Sequence, residues 1–379
     1  MKVLQTVLRA SAVGVEDFSA LAAIQPNLVL VFGSVESIRQ GAAAIERAFP
    51  AAIRAGCSTA GEISQNGVED GSLVVTALHF AHTRIAQVST VLSGMDDSFA
   101  AGKRLASGLP IVGLRAVLIF GQGVQINGSA VLSGMTEILG PHVPITGGLA
   151  GDGGAFAQTW VLDAQGVSSN RLTCVGLYGD ALEFSHGSFG GWSPFGPARK
   201  VTGCKNNVLF ELDGESALAV YKRYLGEHAS GLPASGLLFP FAMLGSDHTE
   251  VGLIRTILGI DEEAGSLTLA GDINPDGYLR LMHASTDALV DGAEAAAEAA
   301  KAMLANPGQG LALLVSCVGR KLVMGGRVDE EVEAVGDVFG KGATLAGFYS
   351  YGEISPFTNG LECKLHNQTM TITYIAEAA

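Results

Sequence analysis

The chain has 379 residues, of which 48% are hydrophobic and 16% are charged, and its formal net charge is −14 at pH 7. This length is enough for two domains, and the apolar fraction is too high for a disordered chain. A nucleic-acid partner would need a basic face that replaces counterions, and the acidic balance predicts none.

Membrane insertion and export are also disfavoured. The mean hydropathy is +0.34, but the apolar stretch 109–124 contains Arg115 and the stretch 229–245 contains two prolines. A membrane-spanning helix needs about 20 apolar residues without charge. The first 17 residues lack a continuous apolar core, so we expect no signal peptide. The sequence therefore predicts a cytoplasmic protein that does not bind membranes.

The first predicted unit is a β-α-β step. A buried apolar strand at residues 27–34 precedes a helical stretch at 36–49 and a second strand that ends in Gly56-Cys57-Ser58. Two further strand-like runs follow, at 72–80 and 84–91. This order predicts a parallel pair of strands joined by a helix, with antiparallel strands added to it.

The second unit repeats the same order along the chain. A strand at residues 116–121 precedes a helix at 128–139 and a glycine-rich turn at 147–154. The turn has no Lys-Ser/Thr pair after it, so it is not a phosphate-binding P-loop. Strands at 172–178 and 182–189 follow, and the Gly-Asp dipeptide between them predicts a hairpin.

The pattern occurs again in the C-terminal half, with a strand at 310–318, a helix at 330–339 and a final strand at 368–375. We place a domain boundary between residues 208 and 209. The prediction is an α/β fold of mixed α+β character, in which repeated β-α-β-β-β units form mixed sheets flanked by helices in two domains, 1–208 and 209–379.

Residues 56–64 and 347–355 both read G-x-x-x-x-G-E-I-S, each at a predicted strand end. Ligands in open α/β sheets bind beyond the carboxyl ends of strands, and the recurrence indicates a duplication whose copies line one site. The alternative is that the glycines only form tight turns and each glutamate fixes a neighbouring loop. The predicted ligand-binding residues from these turns and from the third glycine-rich turn are Cys57, Ser58, Thr59, Glu62, Tyr349, Tyr351, Glu353, Gly148 and Asp152.

An alternative function is catalysis, in which residues of these turns would be the catalytic groups. Cys57 would need a partner that stabilises its thiolate, and no histidine lies near it in the sequence. Glu62 and Glu353 could in principle act as an acid and a base. We expect the protein not to be an enzyme, because no further catalytic pattern accompanies these residues.

One histidine lies in an aromatic, glycine- and proline-rich segment. His186 precedes Phe189, Trp192 and Phe195, and Arg199 follows them. This composition suits a flat apolar ligand such as haem b, with His186 as the axial iron ligand and Arg199 facing its carboxylates. The alternative is a hydrogen-bonded loop histidine beside aromatic side chains that fill a core.

Several motifs together resemble the FIST (F-box and intracellular signal transduction) family. Residues 56–63 and 147–152 are similar to its N-terminal domain, and residues 346–354 and 365–369 to its C-terminal domain. The resemblance implies a bacterial sensory protein that binds a small ligand and signals through a histidine kinase or a cyclic-di-GMP enzyme. One branch of the family senses nitric oxide through haem. Asn367, in the last of these motifs, completes the predicted ligand-binding residues.

Three hypotheses therefore stand. The first is a ligand-sensing module, including the haem-dependent form that uses His186. The second is an enzyme that uses Cys57 or the Glu62/Glu353 pair. The third is an interaction scaffold without a ligand, which would have no pocket lined by the glycine-glutamate turns.

Overall fold

A computed structural model describes residues 1–9, 13–304, 309–357 and 362–378. These residues form 27 strands, eight α-helices and short 3-10 turns, arranged in four sheets. No helix in the described ranges has both the length and the apolar composition of a membrane span.

The first unit begins with an edge strand and a short helix and continues with the predicted β-α-β step. Apolar runs such as LVLVFG are buried along their whole length, because both faces of the strand are covered. Ser34 caps the longer helix by accepting a hydrogen bond from the amide of Ser37. The elements are β1 (Lys2–Leu8), α1 (Ser19–Ala22), β2 (Leu28–Gly33), α2 (Val35–Ala48), β3 (Ile53–Ser58), β4 (Glu62–Ser64), β5 (Gly67–Glu69) and β6 (Leu73–His79).

The second unit has the same order of elements. Its longer helix is capped by Asn127, which accepts a hydrogen bond from the amide of Ala130. The elements are β7 (Arg84–Val91), α3 (Ser98–Gly108), β8 (Leu114–Gly121), α4 (Gly128–Leu139), β9 (Ile145–Leu149), β10 (Val161–Asp163), β11 (Gly166–Ser168) and β12 (Arg171–Tyr178).

The third unit starts with β13 (Leu182–Phe189) and is then interrupted by a separate nine-stranded sheet, called here the inserted sheet. Helix α5 packs on this sheet through Tyr221 and Phe241, whose ring centroids are 5.3 Å apart. The inserted elements are β14 (Ser193–Pro194), β15 (Arg199–Lys205), β16 (Val208–Leu212), β17 (Glu215–Ser216), α5 (Ala217–Leu225), β18 (Phe241–Leu244), β19 (Glu250–Arg255), β20 (Ile257–Asp261), β21 (Ser266–Leu269) and β22 (Tyr278–His283).

The third unit then resumes with a long alanine-rich helix and a fully buried strand. The helix N-cap is Ser285, which accepts a hydrogen bond from the amide of Ala288. The elements are α6 (Thr286–Ala302), β23 (Gly310–Cys317), α7 (Val318–Met324), α8 (Asp329–Phe339), β24 (Ala343–Ser350), β25 (Gly352–Pro356), β26 (Cys363–His366) and β27 (Met370–Glu377).

The three units pair their strands in the same order and in the same relative directions. In the first unit β2 and β3 are parallel, β6 is antiparallel to β2, and β1 is antiparallel to β6. The second unit repeats this arrangement with β8, β9, β12 and β7, and the third with β23, β24, β27 and β13. The predicted mixed sheets of repeated β-α-β units, flanked by helices, are confirmed.

Each unit gives its short hairpin to the sheet of another unit. The hairpin β4–β5 pairs with β24 of the third unit, β10–β11 pairs with β3 of the first, and β25–β26 pairs with β9 of the second. Each of the three sheets therefore has six strands, of which two come from elsewhere in the chain. The exchange forms a closed cycle that holds the units around a shared core.

Aromatic side chains fill the centre of that core. Phe32 and Phe348 stack with ring centroids 4.8 Å apart, and Phe120 lies 5.6 Å from Phe32 and 6.3 Å from Phe348. Strands of all three units contribute to this cluster. The middle of the molecule is thus a packed apolar core.

The structure contradicts one prediction from the sequence and shows where a second one falls in the fold. The predicted hairpin at residues 179–180 is wrong, because β12 pairs with β7 and β8 while β13 pairs with β27 of another sheet. The dipeptide is instead the link between the second and third units. The predicted domain boundary at 208/209 falls at the start of β16, within the inserted sheet.

Candidate functional site

The three glycine-rich strand ends meet, as their common position in each unit leads one to expect. Ser58 Oγ donates to the carbonyl of Gly151 at 2.6 Å, and the amide of Gly153 donates to the carbonyl of Thr59 at 3.0 Å. The amide of Ala60 donates to the carbonyl of Tyr349 at 2.8 Å. The turns are therefore bonded to one another, and Ser58 and Thr59 are buried between them.

Glu62 anchors its own turn. Its carboxylate accepts hydrogen bonds from Thr59 Oγ1 and, at 2.8 and 3.0 Å, from the amide and hydroxyl of Ser72. Burial raises the pKa of Glu62, and these hydrogen bonds oppose the rise. A carboxylate with its lone pairs occupied in this way ties the hairpin β4–β5 to the start of β6.

Glu353 repeats the arrangement in the third unit. It accepts from Ser350 Oγ at 2.7 Å and from the amide and hydroxyl of Thr369 at 3.2 and 3.0 Å. Burial raises its pKa to about 8, against the effect of the same hydrogen bonds. The observed contacts match the alternative interpretation of the motif, in which each glutamate fixes a neighbouring loop.

Two other predicted residues lie inside the packed core. Cys57 is fully buried in the central apolar cluster, and burial raises the pKa of its thiol well above the ordinary value, which disfavours the thiolate. A Cβ on Gly148 would lie 2.8 Å from Val315 Cγ1 and 3.0 Å from the carbonyl oxygen of Gly352. Gly148 therefore allows β9 to pack closely against β23 and β25.

Tyr349 belongs to a buried polar network rather than to an open site. Its hydroxyl donates to Glu331, which also accepts from Ser316 Oγ at 3.0 Å. Arg320 pairs with the same carboxylate at 2.7 Å, and both charged side chains are fully buried. The network connects β23, α7, α8 and β24 in the third unit.

Tyr351 and Asp152 do lie together, beside a small cavity. The Tyr351 hydroxyl donates to Asp152, and its ring stacks on Phe156 at a centroid distance of 4.1 Å. Asp152 also accepts amide hydrogen bonds from the loop that follows it. Tyr351 and Phe156, with Leu149 and the N-terminal end of α4, line a cavity of about 230 Å³ against the inserted sheet.

A larger cavity separates the inserted sheet from the third unit. This insert cleft has a volume of about 680 Å³, and most of its wall is apolar. Trp192 is fixed in the wall by a 2.8 Å hydrogen bond from Nε1 to the carbonyl of Gln368. The side chains that give the cleft its chemical character are Phe189, Trp192, Met243, Met282, Phe357 and His366.

His366 supplies an imidazole to the insert cleft. It is 2% exposed, its Nε2 lies 3.0 Å from the carbonyl oxygen of Ser355, and its ring meets Phe357 edge-to-face at 5.4 Å. Burial lowers its pKa to about 4, so the ring is neutral at physiological pH. A neutral imidazole oriented by a backbone carbonyl can accept a hydrogen bond or bind a metal through its other nitrogen.

His186 is placed differently. It lies on β13 opposite Thr373, is 3% exposed, and is not among the residues that line the insert cleft. Its Nδ1 is buried and has no hydrogen-bond partner in the described part of the chain, and burial lowers its pKa. In the described ranges, no group of three or more His, Cys, Asp or Glu side chains is arranged to hold a metal ion.

The two remaining predicted residues are Arg199 and Asn367. The guanidinium of Arg199 bonds the hydroxyl of Tyr224 at 2.7 Å and Asp213 at 3.1 Å, on the inserted sheet. Asn367 is buried, and its Oδ1 has no hydrogen-bond partner among the residues that the structure describes. Of the predicted site residues, Trp192 lines the insert cleft, and Tyr351 lines the smaller cavity.

Comparison with known proteins gives the family. The FIST N domain matches residues 27–215, and the FIST C domain matches residues 217–356. The chain belongs to the FIST family. FIST domains are signal-transduction domains associated with small-ligand binding.

No curated protein sequence matches this FIST chain. Two solved structures of cyanuric acid hydrolase are similar to it, each at 10% sequence identity with all of both chains covered. One is the enzyme from A. caulinodans, with a TM-score of 0.35. The other, described as an evolutionary innovation by structural concatenation, has a TM-score of 0.33. Similarity at this level says nothing about the activity of the FIST protein.

The insert cleft lies where the two FIST domains meet. Phe189 and Trp192 come from the part that matches the FIST N domain, whereas Met243 and Met282 come from the part that matches the FIST C domain. His366 lies within residues 365–369, which resemble the FIST C-terminal domain, but the sequence favoured His186 as the ligand-binding histidine. The role of His366 depends on the packing of β26 beside the inserted sheet, and no local motif encodes that packing.

Proposed function

We propose that this FIST protein is a sensor whose small ligand binds in the insert cleft and alters its contact with a signalling partner. The observation that carries the proposal is a cavity of about 680 Å³ at the junction of the two FIST domains, lined by aromatic and thioether side chains around one buried imidazole. Ligand pockets of soluble proteins have volumes of about 300–1,000 Å³ and this mixture of apolar walls and few polar groups. A ligand held between two domains can shift one against the other.

Fluorescence of Trp192 tests the site directly. The chain has two tryptophans, so Trp160→Phe leaves Trp192 as the single reporter. Titration with the neutral probe 4-phenylbutan-1-ol should change the emission of Trp192 and reach saturation. Ala242→Phe, which adds a ring at a wall residue of the cleft, should abolish the change. Ala264→Phe, at an exposed turn of the inserted sheet, should not.

The signalling half of the proposal has its own test. The partner class that the family resemblance implies is a histidine kinase or a cyclic-di-GMP enzyme. The autophosphorylation rate of a candidate kinase should change when the FIST protein is added, and Ala242→Phe should remove any dependence on ligand. If the cleft binds the probe but the protein changes the activity of neither class of enzyme, the protein is a ligand-binding protein and the sensor proposal is contradicted.

Haem is a second candidate ligand, and the residues of the cleft fit it better than those around His186. His366 is neutral and reaches the cleft, whose flat aromatic walls suit a macrocycle. His366 would therefore hold the iron, with Ser355 orienting the ring through its carbonyl. When bound, haem supplies a coordination site for a diatomic gas such as nitric oxide.

Absorption spectroscopy decides the haem proposal. Protein purified with haem supplied should show a Soret band that His366→Ala shifts or removes, whereas His186→Ala should leave the band in place. A Soret band that is unchanged in His366→Ala would contradict iron binding at this residue. Absence of the band in the wild-type protein would remove haem and leave the cleft for another ligand.

A further inference from the structure

We infer that Arg280 binds the anionic group of the ligand, and that the ligand of the insert cleft is therefore an apolar molecule with a carboxylate. The inference rests on the proposed function, because it concerns the same cleft. It adds the chemical class of the ligand, which neither the family nor the cavity shape supplies. Three observations carry it: the face on which Arg280 lies, its lack of partners, and the charges around it.

Arg280 lies on the face of the inserted sheet that forms the cleft wall. It is paired with Ala242 across the antiparallel strands β22 and β18, and Ala242 is paired with Ile254 on β19. Residues directly paired in antiparallel strands project their side chains from the same face. Ala242, Ile254 and Met282, two residues beyond Arg280 on the same strand, line the cleft. Arg280 is not itself among the lining residues, so its guanidinium would meet the outer end of a ligand that extends along this face past Ala242 and Met282.

The guanidinium of Arg280 has no partner within the described chain. Its Nε is buried without a hydrogen bond, and the side chain as a whole is half-buried. No ion pair of residues 1–9, 13–304, 309–357 or 362–378 includes it. A cation that loses part of its hydration and gains no partner destabilises the fold. Arg280 is therefore an exception to the rule that desolvated polar groups in proteins are hydrogen-bonded, and this exception needs an explanation.

The three arginines that are buried in the described part of the chain show how a desolvated guanidinium is normally satisfied. Arg54 donates to the carbonyls of two loops, and Arg255 donates to the carbonyls of Leu365 and Asp272. Arg320 is paired with Glu331. Unlike these three arginines, Arg280 has a guanidinium whose partner would come from outside the chain.

The carboxylates near the cleft do not fill that role. Glu362 lines the cleft but is ion-paired with Lys364, and Glu250 is exposed at its edge. An arginine fork matches the two oxygens of a carboxylate, and such a bond is stronger than one between neutral groups. The same chemistry comes from a free aromatic or aliphatic carboxylate and from a haem propionate.

Matched probes test the inference by calorimetric titration. 4-Phenylbutyrate and 4-phenylbutan-1-ol have the same apolar body and differ in the anionic group. The carboxylate should bind wild-type protein about 10-fold or more tightly than the alcohol, which corresponds to the free energy of one charged hydrogen bond. Arg280→Gln should bring carboxylate affinity down to that of the alcohol and leave the affinity for the alcohol unchanged.

The controls separate a specific contact from general electrostatics and from misfolding. Lys200→Gln removes the same charge from the exposed surface of the neighbouring strand and should leave both affinities unchanged. Arg280→Met, which removes the unpaired cation, should unfold at the same temperature as the ligand-free wild type or higher. A clearly lower temperature would give Arg280 a structural role and overturn the inference.

The remaining outcomes are distinguishable. If the alcohol binds at Trp192, but neither 4-phenylbutyrate nor haem binds more tightly than its uncharged counterpart, the inference falls and the proposed function stands. If neither probe binds, both fall. Haem and haem dimethyl ester form the second arm: a preference for haem that Arg280→Gln abolishes, without a preference for 4-phenylbutyrate, assigns the carboxylate to a propionate.

Discussion

Glu62 and Glu353 have the same set of contacts in different units. Each closes a turn by accepting a hydroxyl hydrogen bond from three residues earlier, and each receives an amide and a hydroxyl from the start of the next long strand. The motif was visible in the sequence, and the anchoring role was one of two interpretations between which the sequence could not decide. A repeated glutamate that lines a ligand site and a repeated glutamate that anchors a hairpin produce the same sequence motif.

Burial of Glu353 should make stability depend on pH. Its pKa is raised from the ordinary 4.5 to about 8, so the folded state binds this proton more tightly than the unfolded chain does. The contribution of Glu353 is therefore complete below pH 4.5 and is lost as the pH rises to about 8. We expect Glu353→Gln to make the loss of unfolding free energy between pH 6.5 and 8 smaller by about 1–2 kcal/mol.

Urea denaturation at pH 6.5 and 8 measures this difference. Glu333→Gln, at an exposed position of α8, is the matched control and should keep the wild-type pH dependence. An equally steep loss of stability in Glu353→Gln would show that the carboxylate is already ionised in the folded protein at pH 6.5.

At the scale of elements, a glycine in the same place of each unit lets the two parallel strands approach. A Cβ on Gly56, Gly147 or Gly347 would lie 1.8, 2.0 or 1.8 Å from a backbone carbonyl oxygen of the adjacent strand. The oxygen belongs to the strand ladder and cannot move aside as a side chain end can. These glycines are therefore required by close approach and not by turn formation alone.

Gly347→Ala should lower the unfolding free energy by several kcal/mol, because the new methyl group cannot fit unless the paired strands β23 and β24 move apart. Gly326→Ala is the control, since a Cβ there would meet nothing within 4 Å. It should be neutral or stabilise by about 0.5–1 kcal/mol. Thermal or urea unfolding of both variants checks the pair; equal effects would contradict the close-approach argument.

The elements themselves were accessible from the sequence, and their pairing was not. The predicted strand at 27–34 and the helices at 36–49 and 128–139 agree with the structure within a residue or two. The residues 179–180 had the composition of a hairpin, yet they link two sheets. Local composition encodes a tight turn, but the partner of each strand depends on long-range packing that the local sequence does not specify.

The same limit applies to the candidate functional site. Trp192 was predicted from its aromatic segment and lies in the insert cleft. Arg280 had no motif around it, because its environment is set by strand pairing with β18 and by the position of the inserted sheet. Residues from five separate stretches of the chain meet at the cleft, which explains why inspection of one stretch could not reveal it.

At the scale of the molecule, the exchanged hairpins should make the three units unfold together. Ile63, Leu162 and Ile354 are buried residues of the three hairpins, and each is inserted into the sheet of another unit. We expect Leu162→Ala to lower the unfolding free energy by about 2–5 kcal/mol, and the protein to keep a single transition. Calorimetry measures this; a separate low-temperature transition of one unit would contradict the coupling.

The exchanged hairpins also impose an order on synthesis. The hairpin of residues 62–69 emerges early from the ribosome, but its pairing partner, β24 at residues 343–350, is made on the order of tens of seconds later. The first unit likewise receives its last two strands only after the second unit has been translated. Nascent chains of this protein therefore carry unpaired strand edges until these partners have been made, and chaperone binding at the hairpin of the first unit should persist until β24 has been translated.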